Sequence, residues 1–571
     1  MIAVGKWMEP LEDRIESERA EGNSIYRYYE EERLKVYDPF SHQFVSNLLT
    51  EGKVAAWNKG GYFIISQTGS GKSTLVNEVI SPLILSRRKK GLLITPRVAL
   101  TMQYKRDIAK LYSPEKLEEL QDKGIQREFE FGPLDIFTLQ ELTSEYKKNY
   151  VLEKRKDYDF LIIDEVHAFV GDACFNSFTE EILRLLVLQI GAETKRIYMT
   201  ATPGIALKEI VDIENEVTGR NPPQFNRYGF PLDDVYLTVY RFQQDYSYVK
   251  PVFFEEESTI IKHLLEVPAG EKAIIFVKSK AQGARMQEKL GKDKAVYMDA
   301  ENKLASEEKT FNEIIKENYF DKQFLVATRF LDVGVNLKDY RIKHVVIFHI
   351  YREEVIQMVG RKRIIEKETV NLYIRIPKPS EIEQEIRRLE DEYTEMENNI
   401  NKSLKGFKGV FSQLPMPLFV KAEKGGVHIC YNRFSMAIND YHRIQLWKYM
   451  EDSQEGREFF EGFKEKILQW IPGHKTYGDL ERPGNGNGSL LEDIKLLLDP
   501  LLGKELGREE MVGISEKLLD IFKISRRRSQ KEQIAMNLIK KKFCEYSLPY
   551  TIKNMSKCNK TGIWIIERGL E

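Results

Sequence analysis

Cysteine is scarce: the 571 residues hold four, Cys174, Cys430, Cys544 and Cys558, and no two form a C-x-x-C pair. That spacing suggests neither a disulfide framework nor a standard zinc site, and a reducing, intracellular setting fits it. Long apolar runs are missing too. Nothing approaches the roughly 18 consecutive apolar residues that would span a bilayer, and the opening "MIAVGKWMEPLEDRIESERAEG" turns charged after few apolar residues, so neither export nor anchoring is expected. No charge of one sign dominates, with 87 Lys and Arg against 88 Asp and Glu for a formal net charge of -1. A polyanionic partner would therefore have to meet a local basic stripe. Repeats at solenoid periods are absent, and His428, His442 and His474 are too dispersed to argue for a metal site.

What is present is a chain 42% hydrophobic and 31% charged, long enough for three or four packed domains. Between Phe40 and Pro377, β-rich apolar runs such as "GYFIIS", "GLLITP", "DFLIID", "KAIIFVK" and "HVVIFH" alternate with helical patterns. Continuous apolar strands between helices mean parallel sheets covered on both faces. The strands fall into two groups, divided by the Pro-, Gly- and Asn-rich "GRNPPQFNRYGFPLDD". The reading is a charged helical extension (1–36), two tandem α/β domains (37–240 and 241–378) and a mainly helical accessory region (379–571). "ERPGNGNGS" reads as a flexible loop and "KTGIWIIER" as a strand within the last region.

The stretch "SQTGSGKST", Ser66 to Thr74, lies between a strand and a helix. Backbone N–H groups and a helix N-terminus converge there on an anion. Gly69 and Gly71 let the backbone approach phosphate, Lys72 can reach the β- and γ-phosphates, and the Ser73 hydroxyl can ligate magnesium. A glycine turn before a helix would look the same, so a second element is needed. "FLIIDEVHAF" supplies it by delivering Asp164 and Glu165 at the carboxyl end of a strand, where ligands of open α/β sheets bind. Asp164 would hold the metal ion and Glu165 would polarise the attacking water.

These elements resemble the superfamily 2 helicases and translocases of the DExH-box type, and the resemblance covers about residues 37–378. It implies two tandem RecA-like domains that use ATP and Mg2+. The first motif matches through Ser66, Thr68, Gly69, Ser70, Gly71, Lys72, Ser73 and Thr74; Ser66 stands where alanine or glycine is usual. Gln43 in "DPFSHQ" is implied to read the adenine edge. Thr95, Pro96 and Arg97 of "TPRVALTMQ" and Thr138 of "TLQEL" are implied to touch a nucleic-acid backbone. His167 in "DEVH", with Thr200 and Thr202 in "MTATP", is implied to couple the ATP site to the second domain. In that domain Lys278 ("IIFVKSK") and Thr328 are implied strand contacts, Asp332 and Gly334 ("ATRFLDVGVNL") lie at the nucleotide, and "QMVGRKR" holds Gln357, Arg361 and Arg363. Arg361 fits the first arginine finger. The usual second position, four after Gly360, is Ile364, which leaves Arg363 as its candidate.

A constellation split between two domains is complete only when the cleft closes, so hydrolysis can switch the distance between two grips on a strand. The expected activity is an ATP-dependent helicase, with DNA favoured over RNA and activity falling as salt rises. Two other readings remain open: a duplex translocase or remodelling subunit of a restriction or defence complex, and a nucleic-acid-binding scaffold with an inert ATP site. No long insertion separates Gly334 from Gln357, so a strand-splitting wedge would come from elsewhere, for example the Tyr-rich "DDVYLTVYRFQQDYSYV". Basic residues in "KISRRRSQKEQ" and "LIKKKF" read equally as phosphate contacts or as a solvated helix face. Protein partners through residues 379–571 are a further expectation.

Overall fold

The computed structural model describes residues 30–34, 44–112, 114, 133–147, 158–217, 237–299, 310, 313–314, 317–329, 336–364, 368–404, 414–423, 426–454, 459–474, 477–480, 494–495, 497–522, 536–545, 550–554 and 564–568. The chain divides into two compact units, residues 1–479 and 480–571.

The first unit is built on two parallel seven-stranded sheets. One is formed by β1 (Glu30–Leu34), β2 (Gly60–Ile65), β3 (Lys90–Thr95), β4 (Leu134–Thr138), β5 (Tyr158–Asp164), β6 (Lys195–Thr200) and β7 (Leu237–Phe242), in the order β1-β7-β2-β6-β5-β3-β4. The other contains β8 (Val249–Phe254), β9 (Lys272–Phe276), β10 (Ala295–Met298), β11 (Phe324–Ala327), β12 (Ile342–Ile347), β13 (Val370–Arg375) and β16 (Gly478–Asp479), in the order β10-β11-β9-β12-β13-β8-β16. Strands such as "FLIID" and "KAIIF" are buried along their whole length, as sheets covered on both faces require. These are the two tandem RecA-like α/β domains expected from the sequence.

Three boundaries differ from the sequence reading. Residues 30–34, expected in a helical extension, form β1 and pair in parallel with β7. β16, far beyond residue 378, adds an edge to the second sheet beside β8. In the accessory region the strand expected in "KTGIWIIER" is β19 (Trp564–Arg568), but there is more strand besides: a hairpin of β14 (Leu418–Glu423) and β15 (Gly426–Tyr431), and in the second unit β17 (Glu505–Leu506) and β18 (Tyr550–Asn554), which form a sheet with β19. Short edge strands carry little hydrophobic periodicity, so pattern reading passes over them.

Registry sets up the site. Ile65 at the end of β2 lies opposite Thr200 of β6, and Asp164 of β5 lies opposite Met199. The loops after β2, β5 and β6 therefore leave the sheet along one edge. Behind that edge, β6 is tied to helix Gly204–Val217 by a buried ion pair: Arg196 Nε and Nη2 donate to the two carboxylate oxygens of Glu214 at 2.7 Å each, with Tyr198 Oη on the same carboxylate. Arg196 and Glu214 are 2% and 0% exposed. Removing one partner of such a pair leaves a buried charge uncompensated, at about 3–5 kcal/mol. Glu214→Ala should lower stability by that amount in denaturant unfolding, and a loss below about 1 kcal/mol would contradict it.

Candidate active site

After β2 the chain makes the tight loop 66–71 and enters a helix at Lys72 (Lys72–Thr74), which runs through a π-helical turn (Leu75–Ile80) into Ser81–Ser86. Gly69 and Gly71 have φ of 84° and 88°, the left-handed region open to glycine. A Cβ on Gly69 would stand 2.6 Å from Arg363 Nη1, and one on Gly71 would stand 2.8 Å from Phe44 Cβ. Ser66, the departure from the family pattern, has a structural partner. Its hydroxyl accepts from Ser70 Oγ at 2.9 Å inside the buried loop. Lys72 Nζ closes the loop by donating to the carbonyls of Ser66 (3.1 Å) and Gln67 (3.2 Å). Burial lowers the pKa of this ammonium, against the raising effect of Glu165 and Asp164. Thr68 Oγ1 is buried without a hydrogen-bond partner among the described residues. A glycine-lined cradle with a buried lysine and an open hydroxyl suits a nucleotide's phosphates.

Asp164 and Glu165 follow at the end of β5. Asp164 Oδ1 accepts from the Glu165 amide (2.9 Å), and Oδ2 accepts from Tyr104 Oη (2.7 Å). Tyr104, on helix Val98–Tyr112, is buried beside this carboxylate. Ser73 and Asp164, the candidate metal ligands, are hard oxygen donors, as magnesium prefers. Burial, and then the neighbouring Glu165 charge, raise the Asp164 carboxyl to about 6. For Glu165 burial acts upward as well. Lys72, His167 and Arg361 outweigh it and hold this carboxyl well below the usual range, so it stays ionised. His167 Nδ1 lies 2.9 Å from Thr200 Oγ1 and 3.4 Å from Glu165 Oε2, and the Thr202 amide donates to Thr200 Oγ1 (3.0 Å).

The second domain closes over this edge. Helix Arg352–Val359 brings Gln357, whose Nε2 reaches Thr202 Oγ1 (3.2 Å) and Glu165 Oε2 (3.4 Å). Arg361 is buried and turned onto Gln357, donating from Nη2 to Oε1 (2.7 Å) and from Nε to the backbone carbonyl (3.0 Å). Arg363 lies over Gly69 and donates from Nε to Asn336 Oδ1 (2.6 Å), while Asn336 Nδ2 donates to Gln103 Oε1 (2.9 Å) in the first domain. Gly360 packs so tightly on Thr68 that a Cβ would stand 1.9 Å from its hydroxyl. Gln43, Asp332 and Gly334 lie outside the described residues.

Gln67 escaped the sequence reading. Its side-chain amide pairs with the backbone of Asp245 in both directions, at 2.8 Å each, so the 66–71 loop is tied to the connection between the two sheets. A glutamine in a loop carries no signal of a partner 178 positions away.

The expected strand contacts are spread more widely. Thr95 is buried against Thr101, and Arg97 forms an ion pair with buried Asp172, donating from Nη2 to Oδ1 at 2.8 Å. Thr138 and Glu141 make a reciprocal helix cap, with 2.7 Å from the Thr138 amide to Glu141 Oε2 and 3.0 Å back. Lys278 is exposed at the end of β9, and Thr328 follows β11. Of the tyrosines proposed as a wedge, Tyr240, Tyr246 and Tyr248 are buried core residues, and Tyr236 lies outside the described residues. Helix Arg433–Gln454 braces both sheets. Asn432 and Ser435 hold Thr179 Oγ1 (2.9 Å) and the Ala173 carbonyl (2.7 Å) of the first domain, while Tyr441 and Gln445 hold Glu353 of the second.

Residues 28–205 match the family model of the type III restriction enzyme, res subunit, and residues 256–363 match that of the helicase conserved C-terminal domain. The first matched stretch holds strands of the first sheet and the second holds strands of the second sheet. Similar solved structures include Saccharomyces cerevisiae Dbp5 bound to RNA and ADP BeF3, at 12% identity and a TM-score of 0.41 over 56% of this chain and 80% of that one. Another is the Mycobacterium smegmatis helicase Lhr bound to ssDNA and AMP-PNP, at 13% identity and 0.39 over 61% and 50%. No curated protein matches the chain. Among the described residues no helix is long and apolar enough to cross a membrane.

Proposed function

We propose that the chain is an ATP-driven motor that moves along nucleic acid, DNA in preference to RNA, and separates its strands. The observation that carries this reading is the contact of Gln357, from the second domain, with Glu165 and Thr202 of the first, with Arg361 mounted on that glutamine. Groups needed for hydrolysis thus meet only across a closed cleft. Lys72 and the 66–71 loop bind the phosphates. Glu165, held ionised, orients and polarises the attacking water, and Arg361 with Arg363 meets charge developing on the transferred group. Ser73 and Asp164 would hold a magnesium ion, which would supply charge neutralisation to the nucleotide's phosphates. Opening after hydrolysis releases the Gln357 contacts and moves one sheet relative to the other.

The test is ATPase stimulation by single- and double-stranded DNA and RNA, beside strand displacement, with Glu165→Gln as the inactive control. DNA-stimulated turnover that is absent in Glu165→Gln is expected, and full turnover in that variant would sink the reading. The restriction-enzyme match over residues 28–205 favours a second reading, a duplex translocase that does not separate strands. Triplex displacement without strand displacement would identify it.

A further inference from the structure

The second unit has its own core, in which Leu506, Met511, Leu518, Ile539, Phe543 and Trp564 are buried together. Its order is helical residues at 494–495 and 497–498, β17, helix Arg508–Ile521, helix Met536–Glu545, β18 and β19, with the sheet running β17-β19-β18 and both pairings antiparallel. Two helices followed by a strand pair whose sheet takes in the earlier strand share the element order of a helix pair backed by a small sheet that presents a helix to DNA, with residues 523–535 between the helices outside the described residues. In that arrangement the second helix of the pair faces the nucleic acid.

Charge singles out the same helix. Residues 521–560 contain eleven Lys and Arg against two Asp and Glu, a net +9 in a chain whose total is -1. On helix Met536–Glu545, Ile539 and Phe543 face the core, and the sequence carries lysine at 540, 541 and 542. Lys540 is exposed. The preceding helix has the opposite character, with Glu509, Glu510 and Glu516 exposed, so it would repel a phosphate backbone. The sheet offers less, because Lys553 pairs with Glu567 (2.6 Å) and Arg568 with Asp499 (3.3 Å).

We propose that helix Met536–Glu545 docks in the major groove of a B-form DNA duplex, through Lys540, Lys541 and Lys542, as a grip separate from the two helicase domains. An α-helix about 10–12 Å across fits the B-form major groove, about 12 Å wide, whereas the deep, narrow major groove of A-form RNA excludes it. The proposal rests on the nucleic-acid reading above but not on ATP hydrolysis. It gives the motor a hold on duplex ahead of or behind the strand it moves along.

The test uses the full chain without nucleotide. Binding to a 30-base-pair DNA duplex, the matching RNA duplex and the single strand is measured between 50 and 200 mM salt, for the wild type and for the triple variant Lys540→Gln, Lys541→Gln, Lys542→Gln. Each neutralised phosphate contact contributes about 0.9 to the slope of log K against log[salt], so the DNA-duplex slope should flatten by about 2–3 and affinity should fall at least about tenfold. Single-strand binding and unstimulated ATP turnover should stay unchanged. An unaltered DNA-duplex slope, or an equal loss on the RNA duplex, overturns the proposal. Amide hydrogen exchange on the unmodified protein guards against a misfolded variant: duplex DNA should protect residues 536–545, and no protection there overturns it too. Failure of the motor reading is seen separately, as no stimulation of wild-type ATPase by any nucleic acid.

Discussion

Arg361→Ala is expected to cut nucleic-acid-stimulated ATP turnover by about 10³–10⁵-fold, the range for losing an arginine that meets the transferred phosphoryl group. Arg361 makes two hydrogen bonds to Gln357, and Gln357 in turn contacts Glu165 and Thr202. Its loss therefore removes a cation and loosens the side chain that spans the cleft. Arg361→Lys should rescue little, because an ammonium cannot reproduce the planar fork that bonds Gln357 at two points. The fold should survive, since both broken contacts are to Gln357, between the two sheets and outside their strands. Steady-state ATPase together with a thermal melt checks this; turnover above about a tenth of wild type with an intact melt would contradict the role. Arg363→Ala makes an informative companion. Arg363 already lies over Gly69 and bonds Asn336, so its removal should weaken nucleotide binding as well as turnover.

What the sequence made legible is what local chemistry encodes. The strand–loop–helix around Ser66–Thr74 and the acidic pair ending β5 announce themselves because phosphate binding needs glycine, lysine and a hydroxyl within one turn. Ser66 is an instructive case. Its smallness explained why it is tolerated, but only the fold reveals the Ser70 hydroxyl paired with it at 2.9 Å. Tyr104 and Gln67 could not have been read, since each acts through a partner 60 or 178 positions away. Nor could the burial of Tyr240, Tyr246 and Tyr248 or the pairing of β1 with β7, which depend on tertiary packing that overrides local pattern. The brace formed by helix Arg433–Gln454 is of the same kind. Its Tyr441 and Gln445 hold Glu353 at the start of the helix that bears Gln357, so the region after residue 378 enters the geometry of the cleft.

Lys72→Ala should lower turnover by at least about 10²–10³-fold, the effect of losing one preorganised donor at developing charge, and should weaken nucleotide binding at the same time. The Lys72 ammonium is buried and held by two carbonyls of its own loop, so it is in position before the phosphates arrive. That preorganisation is what a mobile surface lysine would lack. The same ammonium helps to keep Glu165 ionised, against burial and beside Asp164. Its removal therefore raises the Glu165 pKa while taking away the phosphate contact, and both changes act against hydrolysis. Stability should fall as well, because the buried carboxylates of Asp164 and Glu165 lose the cation that compensates them. Fluorescent-nucleotide titration, steady-state ATPase and a melting curve on the full chain separate these effects. Turnover within tenfold of wild type would mean that the 66–74 loop is not where the phosphates bind.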